Sequence, residues 1–379
     1  MSFTKDAYLN QTQHGDSRWW VWGIVFWFTV LGWLAAQLVV TSPISPILDS
    51  VDPELSQQML DMSMAVFTGE GASSIYLFGG LFAGSTILGL VFWVLNRVTK
   101  NMARKIFGTL CGLMVVASLF SLAKIFPLMT TPELSELNPK IISASPLIFL
   151  FILLSFPATL IVPYLGQKFL HQRSIKSLHT AASKIRWNRG LQAFFVTWIV
   201  LGLFTAILHF TGISSVKSNI GAERFIAYSL ICILFLPLQS ATEEIIFRGY
   251  LNQGIHHLLK NKWVTFAITS FLFMAMHLAN PEAVAGKENG MHVLTMSHYF
   301  LFGFFACLMV WMDDGLESAI GFHAANNTFA GIFVNYEGSV IPTPSLFIAK
   351  SNPAIDVFIA IATLGLITYI MWRTRRALN

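Results

Sequence analysis

Residues 225–248 read FIAYSLICILFLPLQSATEEIIFR, an apolar run long enough to cross a bilayer, with the pair Glu243-Glu244 inside it. A spanning helix needs roughly 20 apolar residues, and an ionised carboxylate in the hydrocarbon layer costs roughly 2.5–3.5 kcal/mol even on a lenient insertion scale. Two adjacent glutamates at that depth imply a compensating use. Working outward, two later apolar stretches also bring in polar groups, Phe273-Met-Ala-Met-His277 and His323-Ala-Ala-Asn-Asn327. The three together point to an active site or an ion path inside a membrane.

The rest of the chain supplies the membrane setting. Of 379 residues 55% are hydrophobic, 33 are Phe and only 11% are charged, with a mean hydropathy of +0.63. Soluble proteins carry about 25% charged residues, so a water-soluble core is excluded. Apolar runs lie at 19–40, 75–95, 106–126, 147–165, 191–210, 225–248, 263–279, 294–312, 316–336 and 355–372. The expected fold is all-α, a polytopic bundle of about ten transmembrane helices.

Loop charges orient that bundle. Arg97, Lys100, Arg104 and Lys105 follow the second run, Lys168, Arg173, Lys176, Lys184, Arg186 and Arg189 the fourth, and Arg373, Arg375 and Arg376 the last. Alternation puts all three clusters on one side, which the positive-inside rule makes cytoplasmic, together with both termini. Residues 41–74 carry Asp49, Asp52, Glu54, Asp61 and Glu70 without a Lys or Arg, as suits the opposite face. The net charge of +5 follows from this bias and calls for no nucleic-acid partner. The first run is Trp-rich and lacks a cleavage pattern, so it reads as a retained anchor. The expected location is a plasma or inner membrane, as a multi-pass integral protein. Cys111, Cys232 and Cys307 fall inside apolar runs without CxxC spacing and read as packing residues.

The basic stretch 167–190 divides the chain and is long enough for an amphipathic helix lying on the membrane. Region 1–190 then holds four spans with no intramembrane acid or histidine and no assigned function. Region 191–379 holds six spans and every cluster above, with its catalytic core near 225–330. No internal repeat or matched pair of broken helices suggests an inverted-repeat transporter.

Helix arithmetic asks whether the clusters meet. A turn at Lys260 and Asn261 lies about 17 residues past Glu243 and about 16 before His277, so at 1.5 Å per residue the two are nearly level in an antiparallel hairpin. His323 lies only about eight residues from the turn at 313–315, a mismatch of roughly 10 Å unless that turn is recessed or the helices tilt. In a partly dry site Glu243 and His277 would hold and deprotonate a water for attack on a carbonyl, either one later protonating the leaving amine. His323 and Asn327, at i and i+4, share a face and offer donors to a tetrahedral oxyanion. Glu244 and Arg248, also at i and i+4, would pair and hold the rotation that presents Glu243. A zinc ion on Glu243, His277 and His323 is the rival use of the same groups, although no HExxH is present. Plainer readings are an interfacial glutamate pair, were the span to end at Thr242, and interfacial places for His209, His292 and His298. His256 and His257 fall at a turn, and Asn326 points about 100 degrees away from Asn327, as a packing residue between helices would.

Taken in order, Glu243-Glu244-Ile-Ile-Phe-Arg248-Gly249-Tyr250, Phe273-Met-Ala-Met-His277 and His323-Ala-Ala-Asn-Asn327 resemble the EExxxR, FxxxH and HxxxN motifs of the CAAX prenyl protease and bacteriocin-processing family. Its members are intramembrane endopeptidases, called Abi proteins in bacteria. The resemblance covers about residues 225–330 and implies that Glu243 and His277 activate water, that His323 and Asn327 form the oxyanion site, and that Glu244 and Arg248 support them. It leaves both a metal-free glutamate mechanism and a zinc mechanism open. The implied substrate is a peptide or small membrane protein at the lipid bilayer, with or without a lipid of its own. Two other function classes would use the same residues. One is a proton-coupled transporter relaying through Glu243, Glu244 and His277; the other is a binding or immunity protein that keeps the fold without turnover.

Overall fold

The structure, a computed structural model, describes residues 6–69, 72–125, 132–350 and 352–375. Glu70, Phe126 and Arg376, named above in a loop, a span and a basic cluster, lie outside them. The helices run in order α1 (Trp19–Val40), α2 (Ile44–Val51), α3 (Pro53–Thr68), α4 (Ala72–Val98), α5 (Asn101–Ile125), α6 (Pro132–Ala144), α7 (Pro146–Thr159) and α8 (Ile161–Leu165). After a linker follow α9 (Trp187–Phe210), α10 (Phe225–Glu244), α11 (Asn252–Leu259), α12 (Lys262–Ala275), α13 (Pro281–Glu288), α14 (His292–Asp313), α15 (Glu317–Ile332) and α16 (Pro353–Arg373).

Each expected apolar run forms helix, but the runs are not equal. Among the described residues, 8 helices are long and apolar enough to cross a membrane. The two that fall short are α12, with 14 residues, and α15, with 16. Roughly 20 residues are needed for a full crossing, so these two end inside the bundle's thickness. They are the helices that deliver His277 and His323.

Local chemistry sets the boundaries. Asn261 caps α12 by accepting hydrogen bonds from the backbone N–H of Trp263 and Val264, at 3.0 and 3.2 Å, after Lys260 has turned the chain in the left-handed region (φ 54). This is the hairpin turn expected at Lys260 and Asn261. Ser145, Asp52 and Asn352 cap α7, α3 and α16 in the same way, each followed by a proline at the first helical position, where its missing N–H has no intrahelical partner to lose. Directly after Glu244 the backbone widens into a π-helical segment, Ile245–Leu251, before α11 resumes.

The linker after α8 departs from the expected surface helix. It holds a short π turn (Gly166–Leu170), a 3-10 turn (Ile175–Leu178) and irregular chain, and it is sunk into the protein: Leu178, Thr180 and Ala182 are buried. Its backbone groups find partners on the α14–α15 turn. Ala181 N–H donates to Asp314 O at 2.9 Å and Leu316 N–H to His179 O at 2.7 Å, with Thr180 bridging to Gly315. Arg186 pairs with Glu317 at 2.8 Å and Arg189 with Asp313 at 2.7 Å. The N-terminal segment adds Tyr8, whose N–H donates to Asp314 Oδ1 at 2.9 Å. Two of the linker's cations, Arg186 and Arg189, are thus spent on buried carboxylates, while Arg173 and Lys176 donate to backbone carbonyls. The turn that the linker covers is buried, whereas Lys260 and Asn261 stay exposed. His323 Nε2 comes within 3.6 Å of Glu243 Oε2, so the expected depth mismatch does not keep the two apart.

Contact between α9 and α15 is close enough to require glycine. A Cβ on Gly321 would lie 2.0 Å from the carbonyl oxygen of Gly190. At the opposite end a small sheet joins the α9–α10 loop to the segments flanking the α15–α16 loop: β1 (Val216–Ser218), β2 (Val334–Tyr336) and β3 (Phe347–Ala349). β3 lies in the middle, antiparallel to β1 and parallel to β2, with Val216 opposite Ala349 and Val334 opposite Phe347. A hydrophobic core cluster that includes Phe273, Phe302 and Phe322 packs α9, α12, α14, α15 and α16 together. The three cysteines are free and buried.

Candidate active site

The two glutamates, one residue apart on α10, have different surroundings. Glu244 is fully buried and its Oε1 accepts a hydrogen bond from His323 Nδ1 at 2.8 Å. The same oxygen lies 3.1 Å from Arg248 Nη1, and Arg248 is also fully buried. The guanidinium rests with its Cζ 4.1 Å from the centre of the Phe273 ring, a cation–π contact that gains strength when desolvated. Its nitrogens lack hydrogen bonds of good geometry, so charge pairing and the aromatic face hold it. Gly303 gives it room, since a Cβ there would lie 3.2 Å from Arg248 Nη2.

Glu243 faces the other side of the same imidazole. Its Oε2 is 3.6 Å from His323 Nε2, beyond hydrogen-bond range, and has no hydrogen-bond partner although it is shielded from solvent. Its Oε1 accepts from Gln239 Nε2. His323 is therefore bracketed, with Nδ1 on Glu244 and Nε2 turned toward Glu243. A carboxylate only accepts hydrogen bonds, so the proton of the Glu244 bond sits on His323 Nδ1.

Asn327, one turn beyond His323, enters the same network. Its Nδ2 donates to Gln239 Oε1 at 3.1 Å and lies 3.4 Å from Ser240 Oγ, while its Oδ1 accepts from Asn326 Nδ2 at 3.3 Å. Gln239 thus joins Glu243 to Asn327. Sequence reasoning passed it over, although its position one helical turn before Glu243 in an otherwise apolar run was the available signal.

His277 sits just beyond the end of α12, in the turn that follows. Its Nδ1 bonds to the carbonyl of Phe273 at 2.8 Å, which leaves Nε2 as the ring's free lone pair. The ring stacks on Tyr299 of α14, with centroids 4.2 Å apart and planes 26° from parallel. Phe273 lies between the two histidines, 4.6 Å from His277 and 6.0 Å from His323 between ring centres. Among the described residues no hydrogen bond or ion pair links His277 to Glu243 directly.

A zinc ion would need Glu243, His277 and His323 around one point. His323 Nδ1 is held by Glu244 and His277 Nδ1 by a backbone carbonyl, so Nε2 is the nitrogen each would offer a metal, and among the described residues no three His, Cys, Asp or Glu side chains are gathered to hold a metal ion.

A model of the type II CAAX prenyl endopeptidase Rce1-like family matches residues 222–329, a span that contains Gln239, Glu243, Glu244, Arg248, His277, His323 and Asn327. The uncharacterized protein YyaK of Bacillus subtilis (strain 168) is 30% identical over 267 residues, covering 68% of this chain and 86% of the relative. No solved structure matches. A polytopic membrane bundle that carries the family's matched region on its buried helices leads to one assignment: the chain belongs to the Rce1-like family of type II CAAX prenyl endopeptidases.

Proposed function

We propose that the chain is an intramembrane endopeptidase that hydrolyses a peptide bond in a membrane-associated peptide or small membrane protein, with Glu243 as general base. The observation that carries this reading is the division of labour around His323. Glu244 commits Oε1 to His323 and Arg248 and leaves Oε2 fully buried, while Glu243 makes no ion pair with Arg248 and turns an oxygen without a hydrogen bond toward the same imidazole, 3.6 Å from its Nε2.

In this mechanism Glu243 Oε2 takes a proton from water as the oxygen attacks the substrate carbonyl carbon. Being shielded strengthens the base, because little competing solvation holds the carboxylate. The carbonyl oxygen becomes an oxyanion that receives hydrogen bonds from Asn327 Nδ2 and from His323 Nε2–H, the latter when the ring is doubly protonated. Glu244 compensates the ring's charge and fixes its direction, and Gln239 holds the Asn327 amide and the Glu243 carboxylate in register. Collapse of the tetrahedral intermediate breaks the C–N bond, and the amine leaves with the proton that Glu243 took from the water, given directly or passed on through His277 Nε2. Donors of this kind are worth about 2.7–4 kcal/mol each in acyl transfer. We further propose that the basic end of the bundle and both termini face the cytoplasm.

The test is cleavage of a quenched fluorescent peptide library by purified protein in detergent, with and without a strong chelator. Cleavage that is lost in Glu243→Gln and indifferent to chelator supports the reading. Chelator inhibition reversed by zinc would reassign these residues as ligands, and wild-type cleavage by Glu243→Gln would overturn the assignment of the base.

A further inference from the structure

Beyond the residues used so far, a second shielded carboxylate stands beside His277. Glu282 lies in the first turn of α13, five residues after His277. Its Oε1 accepts hydrogen bonds from the Tyr299 hydroxyl and, at 3.1 Å, from the Tyr336 hydroxyl, with Asn280 Nδ2 at 3.5 Å. Asn280 Nδ2 also donates to the Tyr299 hydroxyl at 2.9 Å. Among the described residues Glu282 forms no ion pair, and its Oε2 is shielded without a partner. Burial pushes its carboxyl above the usual range, against the lowering effect of the Tyr299 hydrogen bond. A shielded carboxylate without a cation is expensive to keep unless it organises something.

What it organises is visible in its partners. Tyr299 belongs to α14, and its ring is the surface on which His277 stacks. Tyr336 belongs to β2, which directly follows α15, the helix of His323 and Asn327. Glu282 itself is tethered to His277 by the turn 277–281. One carboxylate therefore fastens the His277 turn, the stacking tyrosine and the chain that leaves the His323 helix. The ring of His277 has two restraints, its Nδ1 bond to Phe273 and the Tyr299 face, and Glu282 sets the second.

We infer that Glu282, acting through Tyr299, is a positioning residue for the His277 imidazole. Its catalytic consequence rests on the endopeptidase reading; its effect on the ring does not. The spacing His277-Leu-Ala-Asn280-Pro-Glu282 is short enough to transmit a shift of the carboxylate to the imidazole, and misplacement by about 1 Å can lower a rate by about 100-fold.

The experiment compares Glu282→Ala, Glu282→Gln, Tyr299→Phe and Tyr336→Phe with wild type and with the exposed control Glu337→Gln. Two readouts are taken: kcat and KM for a cleaved peptide, and the rate at which diethyl pyrocarbonate modifies His277, followed by mass spectrometry. Glu282→Ala should lower kcat by about 10- to 100-fold with KM changed by less than about twofold. Tyr299→Phe keeps the ring but frees it from its anchor, so it should reproduce most of that loss, and Tyr336→Phe less. Glu282→Gln retains an acceptor oxygen and should recover most of the rate. The modification rate of His277 should change in Glu282→Ala and Tyr299→Phe but not in Glu337→Gln. Wild-type kcat together with an unchanged modification rate in Glu282→Ala would overturn the inference, as would a loss of thermal stability alone. If wild-type protein cleaves no peptide, the endopeptidase reading fails, and the modification rates by themselves decide whether Glu282 holds His277.

Discussion

The α4–α5 hairpin and the α10–α12–α14–α15 bundle are built from equally apolar sequence, yet they keep polar groups inside for different purposes. The hairpin exposes Leu77, Ile87, Val116 and Phe120, and one polar contact inside it is between neutral hydroxyls, Ser85 to Ser118 at 2.7 Å with Thr86 at 3.3 Å. Such groups satisfy themselves and add modest adhesion between helices. The bundle instead buries Glu244, Arg248 and His323, and it leaves Glu243 Oε2 without a hydrogen bond. Neutral pairs stitch helices; charged groups held by a network and left partly unsatisfied mark chemistry.

That contrast is broken most easily at Glu243. Glu243→Gln keeps shape and the Gln239 contact but cannot accept a proton, so turnover should fall by about 100- to 10,000-fold with thermal stability nearly unchanged. Arg248→Ala strands Glu244 in an apolar interior. It should destabilise the protein by about 3–5 kcal/mol, read as lost yield and a lower unfolding temperature in detergent. Asn327→Ala removes an oxyanion donor and should lower kcat by on the order of 100-fold, with KM little changed. Ser118→Ala sharpens the comparison from the other side. Loss of that hydroxyl should cost about 0.6 kcal/mol in unfolding experiments and leave kcat alone. A large loss of turnover there would give the hairpin a part in catalysis.

Much of this architecture was legible before any coordinates. The apolar runs located the helices, and Glu243, His277, His323 and Asn327 stood out because charge and amide groups are expensive in apolar sequence. The turn at Lys260 and Asn261 was readable because the polar break has a helix-capping residue. What could not be read was tertiary. The burial of the α14–α15 turn depends on Tyr8, His179, Arg186 and Arg189, which lie more than 120 residues away along the chain and look like ordinary loop residues. The basic linker was expected to hold a surface helix because it is long and basic; two of its cations, Arg186 and Arg189, are instead paired with Glu317 and Asp313. The attachment of Glu244 to His323, and the bridge through Gln239, required knowing how α10 and α15 rotate against each other. Three-residue strands such as β1 have too little sequence to show a period.

The most direct measurement compares purified Glu243→Gln and Glu244→Gln on one cleaved peptide, with their unfolding temperatures taken in the same detergent. These neighbours receive the same chemical change, but only Glu243 is proposed as the base. The division of labour predicts that Glu243→Gln unfolds like wild type and loses turnover by about 100-fold or more, whereas Glu244→Gln, which only weakens the His323 donor, keeps a larger share of turnover and unfolds at a lower temperature because Arg248 has lost its counter-charge. Wild-type turnover by Glu243→Gln, or equal effects of the two substitutions on both readouts, would contradict it.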